Sequence, residues 1–478
     1  MRLRYLLILL LFALPRALAE GLPDLGDASQ ASFTSVQERR LGERIMREIR
    51  ADRSFYGDAE ATDYINSIGN RLVARGSDTR QPFEFFLIND NSINAFALPG
   101  GFIGVHTGLL LAAQSESEVA GVLAHEIAHV TQRHIARMLD QQKRSAVTSL
   151  AALAVAILAA RASSDAAQAA IAFGQAGVIQ NQLNFTRDNE READRVGVQI
   201  LDRAGFDPRG MPLFFERLQR ATRLYEGGAP SYLRTHPLTF ERIADVQNRV
   251  ENLPYRQIPD SIEFQLIRAK IRAQLEQPRE ALTFFEASLA QRKFLSEAAS
   301  RYGLTASLVR TGDYVRARKE LTALRGIAPQ SPIVENLRCG LLVAAGERDE
   351  ALACYREVLR RYPGNRALTY DFVEALLQGG QPDAALKVVE IGLRSNPEDY
   401  RLYLLQSRGN AMLNRRFAQH RAQGEAYARL GNLSAAVEQL QIALKTGEAD
   451  FYQLSGAEAR LRELRQLVEL ERKEGLKP

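Results

Sequence analysis

The sequence predicts a mostly helical α+β chain, with a mixed domain first and an α-solenoid after it. Three observations carry this reading. Residues 94–105 alternate in character around Pro99-Gly100-Gly101, the pattern of a β-hairpin. The stretch VLAHEIAHVTQRH at 122–134 repeats its apolar residues at helical spacing. From about residue 262 onward one unit recurs every 34 residues, which is the signature of stacked helix pairs. The 478 residues are of ordinary composition, 46% hydrophobic and 25% charged. A net charge of +5, from 62 basic against 57 acidic residues, is too small and too dispersed to point to nucleic acid.

The chain opens on the basic stretch MRLR, and an apolar run, YLLILLLFALP, follows at 5–15. That run is too short to span a bilayer. Ala17-Leu18-Ala19 then places small residues where a signal peptidase reads them. Residues 1–19 are expected to be a signal peptide and the mature chain to work outside the cytosol. The mature chain divides at ENLPYRQIPDSIEF (251–264), which holds two prolines between a mixed and an all-helical half. The expected domains are 20–255 and 262–478.

In the first half, Asn94 to Leu98 reads as a strand that turns at Pro99-Gly100-Gly101 and returns from Phe102 to Val105. If this strand lies at a sheet edge, Asn94, Ala95, Phe96 and Ala97 can bind an extended substrate by strand addition. His106 after it reads as structural. The helix that follows is well specified, because Ser115 or Ser117 can cap it and Val119, Val122, Leu123 and Ile127 give it an apolar face.

On that helix His125 and His129 lie about 40° apart, one turn from each other. Two imidazoles so placed can grip one zinc ion, and Glu126 beside them can reach a water that the metal activates. His134 would lie on the opposite side if the helix continued, and is expected at the surface or a helix end.

A catalytic zinc takes three protein ligands and keeps one position open. A second acidic helix, NFTRDNEREADRVGVQIL (184–201), offers Glu190 and Asp194 on one face. One of the two can ligate while the other holds a ligating imidazole. Glu192 points elsewhere, toward solvent. His236 precedes Pro237, so its backbone is extended, and Pro237 suits the first turn of the helix behind it. Between the two acidic and histidine helices, residues 145–180 read as two small-residue helices near the site mouth. They are compatible with a peripheral membrane contact but are short for a span.

The second half shows GDYVRARKELTALRGIAP (312–329), GERDEALACYREVLRRYP (346–363) and GQPDAALKVVEIGLRSNP (380–397) in one register. This unit resembles the tetratricopeptide repeat, in which Gly turns the chain, a small Ala lets two helices approach and Pro ends the second. Ala281 with Phe285, and Gly431 with Ala436 and Leu440, mark further copies. The step from Ala385 to Ala436 is one and a half repeats and calls for three helices. Such a solenoid presents a concave face to protein partners. Cys339 and Cys354 fall on its antiparallel helices, where an oxidising compartment permits a disulfide; the other reading is two small core residues.

HEIAH followed by NEREADRVG resembles the zinc metallopeptidase family that includes the integral-membrane CAAX prenyl proteases and their bacterial heat-shock relatives. NAFALPGGFIGVHTGLL (94–110) and RTHPLTFERI (234–243) are similar to that family too. The resemblance implies an HExxH zinc metallopeptidase domain holding one zinc ion per chain. It makes Glu190 the third ligand beside His125 and His129, Asp194 the orienting acid and Glu126 the general base of a peptide-bond hydrolase. It also places His236 near the site, either donating to the oxyanion or occupying a fourth zinc position. Arg242 reads as a brace for this region or for substrate; the other reading is a surface Arg. With a leader and a repeat array, the chain is similar to soluble periplasmic members. These imply misassembled outer-membrane β-barrel proteins and their assembly machinery as partners, and a chaperone-like role. The alternative is a non-catalytic extracytoplasmic scaffold that binds proteins through the solenoid.

Overall fold

The computed structural model describes residues 34–76, 81–141, 187–224, 231–328 and 330–473. The leader at 1–19, the stretch at 145–180 and Pro329 lie outside the described residues. The chain begins with α1 (Ser35–Ala51), whose Thr34 cap and Gln37 form a reciprocal capping box. Next come α2 (Ala59–Val73), capped by Asp58, and the strands β1 (Glu84–Ile88), β2 (Ala95–Leu98) and β3 (Phe102–His106). The strands form one sheet in the order β1-β3-β2, with β1 parallel and β2 antiparallel to β3.

The expected hairpin is therefore present, and β2 is an edge strand. Its register pairs Ala95 with Val105 and Ala97 with Ile103, and the His106 N–H donates to the Asn94 carbonyl at 3.0 Å. In an antiparallel ladder the paired groups alternate. The N–H and C=O of Ala95 and Ala97 thus turn away from β3; Ala95 is buried there, and among the described residues no further strand pairs with this edge.

After α3 (Thr107–Ala112) runs α4 (Glu116–Thr131), the helix that carries HEIAH. Ser115 caps it, its hydroxyl accepting from the Glu118 N–H at 3.2 Å. Every residue from Glu116 to Val130 is buried, so the helix is enclosed on all sides and not along one apolar face alone. It is followed by α5 (His134–Gln141), α6 (Arg187–Arg203), α7 (Gly210–Leu224), the single turn α8 (Ser231–Thr235) and α9 (Phe240–Glu251). Both α6 and α7 pack along α4. Pro237 does not open α9: Thr239 is its cap, accepting from the Arg242 N–H, and Pro237 lies outside the helix.

The remaining helices are α10 (Ile262–Leu275), α11 (Pro278–Ala290), α12 (Glu297–Thr311), α13 (Tyr314–Ile327), α14 (Pro332–Ala344) and α15 (Arg348–Arg361). Beyond them lie α16 (Arg366–Gln378), α17 (Pro382–Ser395), α18 (Tyr400–Met412), α19 (Arg416–Arg429), α20 (Leu433–Leu444) and α21 (Phe451–Lys473). They stack as antiparallel pairs, with Ala317, Ala351 and Ala385 buried where paired helices meet. Gly346 turns one pair at φ 80°, a left-handed conformation that only glycine adopts without strain. From the helix of Ala385 the chain passes through α18, α19 and α20 to reach Ala436, three helices where a regular repeat has two. Cys339 on α14 and Cys354 on α15 are joined as a disulfide, with Cα atoms 5.6 Å apart.

The mixed half and the solenoid share one hydrophobic core, which runs from Leu123 and Ile127 of α4 to Phe264, Ile267 and Leu304. A buried ionic network reinforces this junction. Lys270 Nζ of α10 lies 2.7 Å from Asp58 and 2.6 Å from Glu60, and Asn336 of α14 donates to Glu60 and to Asp371, each at 2.9 Å. Burial opposes the charge on Lys270, yet the two carboxylates beside it hold its pKa well above the ordinary value. Lys270→Ala leaves the buried carboxylate of Glu60 and the part-buried one of Asp58 without their cation. It is expected to lower stability by about 3–5 kcal/mol, read as the shift of the urea unfolding midpoint.

Candidate metal centre

The centre is built where α6 crosses α4. Gly197 makes the crossing close: a Cβ there would stand 2.9 Å from Met211 Cε, 3.2 Å from His125 N and 3.3 Å from Ala124 C. The close approach sets Glu190 and Asp194, one turn apart on α6, against His125 and His129, one turn apart on α4. All four are buried.

His125 Nδ1 lies 2.9 Å from Asp194 Oδ1, which leaves Nε2 facing the pocket, 3.0 Å from His129 Nε2 and 3.5 Å from Glu190 Oε2. His129 Nε2 is 3.4 Å from Glu190 Oε1. His236 enters from the segment between α8 and α9, its Nδ1 3.0 Å from Glu190 Oε1 and 3.4 Å from His125 Nε2. One ligand atom from each of His125, His129, Glu190 and His236 falls within 4.8 Å of all the others.

These spacings fit a metal. A tetrahedral ion with ligands at about 2.0–2.1 Å separates its ligand atoms by roughly 3.3 Å. Three carboxylates, Glu126, Glu190 and Asp194, meet one guanidinium, Arg242, so two negative charges remain to be balanced in the interior. Glu126 is buried and neither of its oxygens has a hydrogen-bond partner, an arrangement that costs free energy unless the site binds something polar.

The electrostatics agree. Burial opposes a charge on His125, but Asp194 and Glu190 beside it push its pKa up to about 10, so the pocket favours a cation there. Burial also works against the ionised form of Glu190, yet His236, His125 and His129 hold its pKa well below the usual carboxylate range. Burial pushes Glu126 up, toward the range of a group that exchanges a proton.

Arg242, read from sequence as a brace, is buried and bidentate to Asp194, with Nε at 2.8 Å and NH2 at 2.9 Å. Its NH1 also reaches Glu190 at 2.7 Å and the Pro237 carbonyl at 2.7 Å, tying the His236 segment to α6. His106 is buried against Asp90 and Ser92, away from the centre. Ala97 of the β2 edge faces Glu126, and its amide favours the ionised carboxylate.

Two expectations are corrected. His134 does lie at a helix end, but it is buried and not at the surface. The helix stops at Thr131, Arg133 takes φ 53°, and His134 restarts the chain as α5, buried, with Nδ1 2.8 Å from His129 Nδ1. Burial lowers its pKa to about 4, so it is neutral at neutral pH. Glu192 does not simply face solvent: it lies 3.1 Å from His134 Nε2 and 2.9 Å from Arg137 NH2. Tyr232 was missed altogether. It stacks on His236 with ring centroids 4.7 Å apart, and its buried hydroxyl has no partner. Its only signal in the sequence was its place four residues before His236.

A model of peptidase family M48 matches residues 59–250, and two tetratricopeptide-repeat models match residues 268–332 and 342–409. The chain is 35% identical over 452 residues to the beta-barrel assembly-enhancing protease of Escherichia coli (strain K12), covering 94% of this chain and 92% of that protein. It is 35% identical over 419 residues to a putative beta-barrel assembly-enhancing protease of Vibrio cholerae, 87% of this chain and 86% of the other. The mitochondrial metalloendopeptidase OMA1 of Schizosaccharomyces pombe is 31% identical over 227 residues, 46% of this chain and 62% of that one.

The close crossing at Gly197 is open to test. Gly197→Val forces α6 away from α4 and is expected to cost about 1–3 kcal/mol. Metal content measured by mass spectrometry should fall with it, because Glu190 and Asp194 move away from the two histidines.

Proposed function

The chain belongs to the beta-barrel assembly-enhancing protease family, metallopeptidases of peptidase family M48, and from that premise we propose that it is a periplasmic zinc endopeptidase. The observation that carries this reading is the buried set of His125, His129, Glu190 and His236 beside the buried carboxylate of Glu126. We assign the chemistry to domain 20–255 and the recruitment of partners to the solenoid at 262–478.

His125, His129 and Glu190 would hold the metal, and their two nitrogens and one oxygen suit zinc. Zinc bound there supplies Lewis acidity, which makes a water molecule a better nucleophile and polarises a peptide carbonyl. Glu126 takes the proton of the attacking water and delivers it to the leaving amine, a role that suits a carboxylate whose pKa burial has raised. Asp194 accepts from His125 Nδ1–H and so keeps the Nε2 lone pair turned to the metal. Arg242 holds Asp194 in place from behind.

The free edge of β2 gives the substrate its place. Outward N–H and C=O groups of Ala95 and Ala97 can pair with an extended polypeptide, and Asn94 and Phe96 flank them. A strand bound there runs past Glu126, which the Ala97 amide already faces. His236 fits the fourth ligand position, and with it in place the site is closed until the segment before α9 moves. Its other role would be to donate to the oxyanion from Nε2, which lies 3.5 Å from Glu126.

The clients proposed are outer-membrane β-barrel proteins that have stalled in assembly, engaged through the repeats, with a chaperone-like function beside proteolysis. The apolar leader at 5–15 and the Cys339–Cys354 pair support an oxidising compartment outside the cytosol. Among the described residues no helix is long and apolar enough to cross a membrane, so membrane contact is taken as peripheral.

The first test is metal content of the purified mature protein. One zinc per wild-type chain, lost in His125→Ala, supports the reading; no zinc in a folded wild type favours a binding scaffold instead. Glu126→Gln should lose peptide cleavage by at least about 100-fold while it keeps its zinc. His236→Ala separates the two roles of that residue: basal cleavage of an unfolded protein rises if His236 closes the site, and falls if it assists the oxyanion.

A further inference from the structure

Behind the metal-facing edge of His129 lies a chain of hydrogen bonds that the reaction as described does not use. His129 Nδ1 stands 2.8 Å from His134 Nδ1, His134 Nε2 stands 3.1 Å from Glu192 Oε2, and the same oxygen accepts from Arg137 NH2 at 2.9 Å. The side chains of His129 and His134 are wholly buried, and that of Glu192 is 29% exposed.

The direction of these bonds follows from the end that cannot reverse. A carboxylate ion-paired with Arg137 only accepts, so His134 Nε2 must carry the hydrogen. A neutral imidazole has one N–H, so His134 Nδ1 is then an acceptor. The hydrogen between the two rings must come from His129 Nδ1. That puts the His129 lone pair on Nε2, on the side where it meets His125, Glu190 and His236. With the order reversed, the hydrogen would sit on Nε2 and His129 could not ligate.

Resting on the metallopeptidase reading above, we propose that His134 and Glu192 are positioning residues for the metal, which hold His129 in its ligating tautomer through a His–His–carboxylate relay. His125 reaches the same state by a shorter route, through Asp194 directly. The two ligands on one helix therefore have unequal supports, one carboxylate at a single step and one at two. Arg133 makes the longer route geometrically available. Its left-handed backbone, φ 53°, ends α4 and turns His134 back under His129, and its side chain is anchored to Glu38 of α1. An α4 that simply continued would carry His134 away from the site.

The test is zinc affinity, measured on the full mature chain by competition with a chromogenic chelator, with each metal-free variant checked by its thermal melt. Removing an outer partner of a zinc-bound histidine weakens metal binding by about 10–100-fold. H134A should show a loss of that size. H134N, whose amide oxygen can still accept from His129 Nδ1–H, should recover most of it. E192Q should fall between wild type and H134A, because a neutral amide can donate as well as accept and no longer dictates the direction. In zinc-loaded protein labelled with 15N-histidine, the His129 Nδ1–H proton should be protected in wild type and lost or exchanging in H134A. If H134A does not fold, H134N and E192Q still decide the matter. Wild-type protein that binds zinc while H134A, or H134N together with E192Q, binds it equally well overturns the relay and leaves the peptidase reading standing. Wild-type protein that binds no zinc overturns both.

Discussion

Three carboxylates face one guanidinium inside this protein, and much of the surrounding structure serves to hold that imbalance. Glu126, Glu190 and Asp194 are buried together, and among the described residues Arg242 is the permanent cation, paired with Glu190 and Asp194. Isolated charges in a protein interior are costly unless they are paired or bind a metal. The pocket is therefore strained toward accepting positive charge. In the metal-free state a proton on His125 answers part of the need, which is why that imidazole's pKa rises to about 10 in spite of burial. A divalent ion would answer the whole of it.

Such a pocket survives only if its walls cannot drift, and each wall is secured separately. Gly197 lets α6 lie close against α4, where an added Cβ would press on Met211 and on the backbone of Ala124 and His125. Arg242 binds the His236 segment to α6 through Asp194, Glu190 and the Pro237 carbonyl. The β2 strand brings the Ala97 amide to the same place, facing Glu126. The shared core and the Lys270 network make the solenoid a mechanical continuation of this half, not a tethered appendage. A load on the repeats can thus reach α2 and, through it, α4 and β1, against which α2 packs.

Much of this was legible beforehand, for reasons that can be named. HEIAH at i and i+4, and Glu190 with Asp194 at the same spacing, are local geometry: once the helices form, each pair shares a face. The hairpin at 94–105 is marked by its turn residues, and the repeats by glycine and alanine in a fixed register. What failed did so where local rules stop. His134 was placed by continuing a helix that ends, because nothing in VTQRH announces the left-handed Arg133. Pro237 was placed inside a helix that begins at Phe240. Tyr232 was invisible, since its value lies in stacking on His236, a partner that only the fold aims at the site.

The sequence by itself determined which side chains could share a helical face, where strands turn and how the repeats are spaced, because these depend on contacts a few residues apart. It determined that two imidazoles suited to a metal would share one face of a helix. Only the tertiary structure decided that a second helix would bring Glu190 within reach of the two histidines, that β2 would be an edge among the described residues, and that His236, Arg242 and His134 would close around the same point. Those placements join residues tens to more than a hundred positions apart. They are set by close packing and by the need to pair every buried charge, conditions that the whole chain satisfies together and no short stretch of it can express.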